Sequence, residues 1–351
     1  MEHHQFFIQR CFELAQLAAG NVAPNPRVGA VITYQNKIIG EGFHQFAGGP
    51  HAEINAINSL KDKGLLSKST LYISLEPCNN YGKTPPCVNA ILAHKIPAVY
   101  ISLKDPNPLT MGQSINKLKS AGVQVKINIL PKKGAKTTEG FLSTFQKNRP
   151  YIMLKYAQSL NTMMGVADKQ FWISNPYTKR LTHKWRSEYN AIIIGSGTLA
   201  IDNPRLNNRH YFGKSPVKLL LKRDGYIAPD TAILHSEGRT IIICEPTAQT
   251  IDYPNTKQWR LAFDENLLQN ILKNLKKEGL NSLIVEGGAT LLNSFIQQKL
   301  WDEARIFTGN KMINAANAIP APILRGQLME SFQIGDNRLE VFENNQSQKA
   351  M

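Results

Sequence analysis

Cysteine is scarce in this 351-residue chain. The four present, Cys11, Cys78, Cys87 and Cys244, are too few and too scattered for a disulfide framework. Long apolar runs are missing as well: stretches such as Ala191–Gly195 and Leu219–Leu221 fall far short of the ~20 residues that span a bilayer. Met1-Glu2-His3-His4-Gln5 offers no basic segment followed by an apolar stretch and a cleavage site, so no secretory signal is read. No low-complexity tract stands out. These absences argue against membrane and secreted classes and point to a soluble, cytoplasmic protein. Acidic residues are in deficit, leaving a net charge of +15. The excess is even: residues 1–146 hold 15 basic and 8 acidic side chains, the remainder 26 and 18. With no basic run or aromatic-interleaved stripe, this is a poor nucleic-acid footprint, and the expectation is no nucleic-acid partner. Phosphorylated small molecules account for the charge equally well.

An apolar share of 42% is enough for real cores, and the length suits two domains. Gln5–Ala19 has helical spacing, and Val28–Tyr34 with Lys37–His44 reads as a hairpin turning at Gln35-Asn36. Helices are expected over Ala52–Leu60, Pro85–His94 and Ile115–Ala121, with strands at Leu71–Leu75, Ala98–Leu103 and Val123–Ile129. This interleaving argues for a layered α/β domain. Pro131-Lys132-Lys133-Gly134 interrupts the pattern, and Gly140–Phe145 follows as a connecting helix. A second α/β run begins at Arg149-Pro150. Its strands are expected near Tyr151–Ala157, Ala191–Ile194, Val217–Leu221, Thr240–Cys244 and Ser282–Val285, its helices over Tyr177–Ser187, Asn266–Glu278 and Thr290–Lys299. The boundary falls near 146–149, giving domains 1–146 and 147–351.

Three elements carry chemistry in the first domain. His51-Ala52-Glu53 opens a helix, Pro77-Cys78 ends a strand, and Cys87 follows Pro85-Pro86 at another helix start. One histidine and two cysteines suit zinc, with the fourth position left to water in catalytic sites. A cysteine at a helix N-terminus has its thiolate stabilised by unpaired N–H groups. Glu53, two residues beyond His51, is placed as a proton shuttle rather than a ligand. His-x-Glu followed by Pro-Cys and a second Cys is the zinc-deaminase signature, here with eight residues between the cysteines instead of two.

That long spacing, with Pro24-Asn25-Pro26-Arg27-Val28-Gly29, Gly40-Glu41-Gly42-Phe43-His44, Leu75-Glu76-Pro77-Cys78 and Asp105-Pro106-Asn107-Pro108, resembles the bifunctional riboflavin-biosynthesis deaminase/reductase family. The resemblance implies a cytidine-deaminase-like, three-layer N-terminal domain with Zn2+ on His51, Cys78 and Cys87 and with Glu53 catalytic. It also implies substrate contacts at Asn25, His44 and Lys83. The family's histidine between the cysteines is Asn80 here, which hydrogen-bonds but cannot carry positive charge.

The second half is less legible from residues alone. Gly195-Ser196-Gly197-Thr198-Leu199-Ala200 matches a dinucleotide-binding pattern, but Asp202-Asn203-Pro204 cuts off the helix that pattern needs. Val285-Glu286-Gly287-Gly288-Ala289-Thr290 makes a better anion cradle, a strand running through two glycines into a helix. Lys155-Tyr156-Ala157-Gln158-Ser159-Leu160, Trp172-Ile173-Ser174, His183-Lys184-Trp185-Arg186, Asp202-Asn203-Pro204-Arg205-Leu206 with Arg209, and Glu286-Gly287-Gly288 are similar to the same family's reductase domain. That implies a dihydrofolate-reductase-like fold and an NADPH cofactor. The implied cofactor contacts are Ala157, Trp172, Thr198, Asp202 and the run Gly288, Ala289, Thr290, Leu291, Leu292, Asn293 and Ser294. Gln170, Arg186, Leu206, Arg209 and Glu286 are the implied substrate contacts, arginine suiting a ribose phosphate through its bidentate fork. The family's Ser-Leu-Asp-Gly is Ser159-Leu160-Asn161-Thr162 here, and its strand-ending aspartate is Lys222.

The expected activity is zinc-dependent hydrolytic deamination of a phosphorylated diaminopyrimidine, then NADPH reduction of its ribosyl side chain to ribityl. The family implies a homodimer or homotetramer. The alternatives are a zinc deaminase of a nucleoside or tRNA base with a non-catalytic second domain, and a zinc-stabilised nucleic-acid-binding protein. The latter needs a fourth protein ligand, and none is evident near Cys78 and Cys87.

Overall fold

The computed structural model describes residues 2–82, 85–108 and 110–344. The chain divides into two compact units, Met1–Asn148 and Arg149–Met351. The first runs α1 (Glu2–Gln16), β1 (Gly29–Tyr34), β2 (Lys37–Phe43), α2 (Ala52–Ser59), β3 (Thr70–Leu75), α3 (Cys87–Ala93), β4 (Ala98–Leu103), α4 (Gln113–Ser120), β5 (Gln124–Lys126), α5 (Pro131–Thr137) and α6 (Glu139–Gln146). Its sheet has the order β2-β1-β3-β4-β5. β1 is antiparallel to both neighbours, while β3, β4 and β5 are parallel.

Strand alternation builds three layers. Ala30, Ile32, Leu71, Ile73, Val99 and Ile101 pack on one face with Ala56 and Ile57 of α2 and Ile91 of α3. Val31, Tyr72 and Tyr100, the residues between, pack on the other face with Phe7, Ile8 and Cys11 of α1. Successive strand side chains point to opposite faces, so each strand feeds both cores. Gly42 lets α2 sit close on β2: a Cβ there would lie 2.3 Å from the Ala56 nitrogen. The helix that carries Glu53 is thereby held against the sheet.

One expectation fails here. Pro131-Lys132-Lys133-Gly134 does not break structure; it begins α5, with Pro131 in the first turn. Proline lacks only a donor that a helix start leaves unpaired anyway.

The second unit contains β6 (Tyr151–Gln158), β7 (Met163–Val166), α7 (Pro176–Glu188), β8 (Ala191–Gly195), α8 (Ser196–Asp202), β9 (Val217–Leu221), β10 (Thr240–Cys244) and β11 (Thr256–Arg260). It continues with α9 (Leu267–Lys277), β12 (Ser282–Val285), α10 (Ala289–Gln297), β13 (Glu303–Thr308), β14 (Ala318–Pro320), β15 (Gln327–Ile334) and β16 (Asn337–Glu343). A nine-stranded sheet has the order β11-β10-β9-β8-β12-β6-β13-β16-β15. It is parallel from β11 to β13 and antiparallel across β16 and β15. Alternation again serves two cores. Ile193, Leu219, Ile241 and Leu283 meet α9 and α10, while Ile192, Leu220, Ile242 and Ile284 meet Trp185 of α7. As Asp202-Asn203-Pro204 implies, α8 stops after seven residues, with Asn203 in the left-handed region at φ 39°. Among the described residues no helix is long and apolar enough to cross a membrane.

Candidate functional site

In the first unit three loops converge. His51 is the residue before α2, Cys78 lies just past β3, and Cys87 opens α3. Their ligand atoms lie within 4.8 Å of one another. His51 Nδ1 is 3.4 Å from Cys78 Sγ and 3.3 Å from Cys87 Sγ. Tetrahedral zinc, with arms of about 2.0–2.3 Å, places its ligand atoms roughly 3.5 Å apart, so the three residues fit that ion. The Cys87 backbone N–H donates to Cys78 Sγ at 3.2 Å, putting the start of α3 to work on the sulfur. The Cys78 thiol falls to about 4, chiefly through its hydrogen bond with Cys87 and against burial. That same bond and burial push the Cys87 thiol up.

Glu53, in the first turn of α2, is 3% exposed. Burial first and the Cys78 sulfur second push its carboxyl up to about 7, with His51 opposing. A carboxyl poised there exchanges protons readily at neutral pH. His44 Nδ1 lies 3.0 Å from the Pro50 carbonyl and Nε2 lies 3.0 Å from Asn25 Nδ2. A carbonyl only accepts, so Nδ1 bears the hydrogen and Nε2 accepts from the Asn25 amide. Burial lowers the pKa of His44, and its ring packs edge-on to His51 at 5.3 Å. Asn25 and His44 therefore form one polar wall beside the cluster. Lys83 lies outside the described residues, and Asn80 is exposed.

Glu76, in the Leu75-Glu76-Pro77-Cys78 motif, has a role that its sequence context does not reveal. Its carboxylate accepts from the backbone N–H groups of Asp105 and Gly112 and from Ser114 Oγ, tying those residues to the strand end that leads to Cys78.

The second unit has a cleft of about 930 Å³ at the carboxyl ends of its parallel strands, where open α/β sheets bind ligands. Lys155 and Ala157 of β6, Gly195 of β8, and Glu286 to Gly288 beyond β12 line it. Of the residues singled out from the sequence, Gln170, Trp172, Thr198, Asp202, Arg186, Leu206, Arg209, Ala289, Thr290, Leu291 and Ser294 also face it. Leu292 and Asn293 do not. Leu292 is fully buried in the core, because the helical period turns those two positions away from the face that bears Thr290, Leu291 and Ser294.

Arg186 grips Glu286 with both forks, Nε to Oε1 at 3.0 Å and Nη2 to Oε2 at 2.7 Å. Lys155 Nζ stands 3.9 Å from the same carboxylate. Burial alone would push Glu286 up, but Arg186 and Lys155 together hold it at about 2. Burial lowers the pKa of Lys155. Gln170 donates to Asp202 Oδ1 at 3.3 Å. Asn161 uses both ends of its amide: Oδ1 accepts from Ser159 Oγ and the Ile313 N–H, and Nδ2 donates to the Ile313 carbonyl. An aspartate could not make that last bond. Lys222 pairs with Asp224 at 2.7 Å and stands outside the cleft lining, whereas Arg223 is in it. Sequence reasoning assigned no role to Lys155 or His183, both on the cleft wall. The available signal was position: Lys155 near the carboxyl end of a parallel strand, His183 one helical turn before Arg186.

Comparison with known proteins places each unit. Residues 1–103 match the family model "Cytidine and deoxycytidylate deaminase zinc-binding region", and residues 150–337 match "RibD C-terminal domain". The chain is 31% identical to riboflavin biosynthesis protein RibD of Aquifex aeolicus, covering 95% of this chain and 94% of that protein. It is 32% identical to the Chlamydia pneumoniae protein of that name, covering 94% and 90%. A Thermotoga maritima structure, described as a diaminohydroxyphosphoribosylaminopyrimidine deaminase/5-amino-6-(5-phosphoribosylamino)uracil reductase, superposes with a TM-score of 0.89 at 30% identity over 98% of this chain and 99% of that one. Acinetobacter baumannii RibD gives 0.88 at 29% identity over 97% and 99%.

Proposed function

The chain belongs to the RibD family of bifunctional riboflavin-biosynthesis deaminase/reductases, and on that premise we propose its substrate, its cofactor and the residues that act. The first unit deaminates 2,5-diamino-6-ribosylamino-4(3H)-pyrimidinone 5′-phosphate, and the second reduces the product with NADPH. The observation that carries the reading is the convergence of His51, Cys78 and Cys87 beside a buried Glu53. It is joined in one chain to a dihydrofolate-reductase-like unit.

His51, Cys78 and Cys87 would hold zinc, which when bound supplies the Lewis acidity that makes water nucleophilic at neutral pH. Glu53 takes the proton from the attacking water and hands it to the ring nitrogen. Once the new C–O bond has formed, Glu53 takes the second proton from that hydroxyl and delivers it to the amine; the C–N bond breaks, ammonia leaves and the carbonyl remains. Asn25 and His44 orient the pyrimidine from the side, and Lys83 is proposed for the phosphate.

In the second unit Ala157, Trp172, Thr198, Asp202 and the Gly288–Ser294 segment at the start of α10 would hold NADPH through their cleft-facing members. NADPH when bound supplies hydride to C1 of the ring-opened ribosylamino group, giving ribitylamino. Gln170, Leu206 and Glu286 position the substrate, with Arg186 and Arg209 toward its phosphate. None of the four cysteines is in a disulfide, which supports a reducing, cytoplasmic setting. Leu328, Met329 and Phe332 are exposed on the edge strand β15, supporting a homodimer or homotetramer. A nucleoside or tRNA-base deaminase with an inert second domain is set aside by the reductase-family match over residues 150–337.

The test is product mass after incubating zinc-loaded protein with the diaminopyrimidine phosphate, with and without NADPH. Exchange of one amine for oxygen is expected in both reactions, with a further gain of two hydrogens only with NADPH. Unchanged substrate in both would overturn the assignment of substrate.

A further inference from the structure

We propose that His183 is a positioning residue of the reductase centre: its ring holds the backbone at Arg209 and so sets that guanidinium over the cleft. The inference rests on the reading of the second unit as a reductase of a phosphorylated substrate. His183 and Arg186 lie three residues apart on α7 and so share a face. Both line the cleft with Arg209. The imidazole is 2% exposed, and its Nδ1 lies 3.2 Å from the backbone nitrogen of Arg209. An amide N–H can only donate, so Nδ1 carries the lone pair and the ring hydrogen sits on Nε2. The His210 ring packs edge-on against His183 at 4.6 Å, restraining rotation of the imidazole.

The segment this bond anchors has a clear use. Arg186 and Lys155 already face Glu286. Arg209 has no carboxylate within ion-pair distance among the described residues; its Nη1 donates only to the amide oxygen of Asn207. With Lys169, Lys179 and Arg205 of the same lining, it is one of the cleft cations that no carboxylate pairs among the described residues, and the one His183 holds; a phosphate is the anion the reaction brings. Asn208 folds its amide back onto the Phe212 and Gly213 carbonyls, making the segment a compact turn. Of its ties to α7, the His183 bond acts on the backbone of Arg209 itself, while Arg186 reaches only the Asn207 carbonyl, at 3.4 Å.

A protonated Nδ1 could not accept that amide. Burial, then Arg186, Arg209 and His210, push His183 down to about 3 against the opposing pull of Glu286. The ring stays an acceptor at neutral pH, and the neighbouring Arg186 and Arg209 help keep it so.

The test separates the two ring nitrogens. The asparagine side chain places its carbonyl oxygen near the position of Nδ1, whereas glutamine reaches toward Nε2. His183→Leu and His183→Gln should raise KM for the deaminated phosphate substrate by about tenfold, the scale of one lost hydrogen bond, with kcat little changed. His183→Asn should restore KM to within about threefold of wild type. NADPH affinity, read by fluorescence, reports that each variant's second unit is folded. Equal KM values for the Asn and Gln variants, or a loss confined to kcat, would overturn the proposal, and the Asn–Gln pair decides even if the Leu variant does not fold. A wild-type protein without reductase activity would instead strike the functional reading on which this rests.

Discussion

Thr162 has φ 58°, in the left-handed region that costs an L-residue about 1–2 kcal/mol and a β-branched one no less. It ends a tight turn in which its N–H donates to the Ser159 carbonyl at 3.0 Å and its own carbonyl accepts from Ala321 at 2.8 Å. Both bonds are backbone bonds, and the side chain is exposed, so nothing obvious compensates for the strain. Glycine sits there without strain but gives up about 0.5–1 kcal/mol of unfolded-chain entropy. Thr162→Gly should therefore stabilise the second unit by roughly 1 kcal/mol, seen as a rise in Tm; a fall would show that the turn is not strained. The residue pattern made this place visible, because the family's glycine is replaced there, but only the backbone angle gives it a sign. The deaminase cluster was legible for a simpler reason. Its candidate ligands occupy short segments whose order and types are chemically demanding, so sequence alone points to His51, Cys78 and Cys87, which the fold brings within 4.8 Å of one another, and to Glu53, which it buries. Lys155 and His183 could not be given roles. A lysine in a strand and a histidine on a helix are ordinary in sequence, and their meaning comes from Glu286 and Arg209, residues far along the chain.

Glu286 joins three elements: it lies just past β12, is gripped by Arg186 of α7, and faces Lys155 of β6. Its carboxyl is held at about 2 against an ordinary 4.5. The unfolded chain therefore binds the proton first as pH falls, and the contribution is full above about pH 4.5 and lost toward pH 2. A shift of this size corresponds to about 3 kcal/mol, reduced by the burial of Lys155, whose own pKa is lowered. Glu286→Gln should destabilise the second unit near neutrality, and its deficit against wild type should shrink as pH drops through that window. Acid-unfolding curves of the two proteins check this; parallel curves would mean the carboxylate adds nothing. Elements with strong periodicity were readable in advance: β9, β10 and β12 fall where alternation and apolar runs put them. β15 was not readable, because every residue from Gln327 to Gln333 is exposed and an edge strand with no buried face has no alternation to show. α5 was hidden by a proline and a glycine that look like a break. Gly134 lies where a Cβ would come 2.5 Å from Ser102 Oγ, so close packing rather than a turn explains it.

Each unit closes its own cores, with Ile32, Ile73 and Ile101 in the first and Ile193, Ile241 and Leu283 in the second. The candidate zinc ligands, at 51, 78 and 87, all belong to the first unit, and the residues lining the large cleft, between 155 and 319, all belong to the second. The two activities should therefore respond separately to loss of the metal. The His51, Cys78 and Cys87 cluster, once stripped by a chelator, leaves two sulfurs and an imidazole crowded within hydrogen-bond distance, and deamination should cease. Reduction of deaminated substrate supplied directly, with NADPH, should continue at close to the untreated rate, since no group in that cleft depends on the cluster. Zinc added back should restore deamination alone. The measurement is the pair of initial rates before chelation, after it, and after zinc return. If reduction falls in step with deamination, the first unit supports the second in a way that neither core nor cleft accounts for, and the independence argued from their separate interiors is wrong.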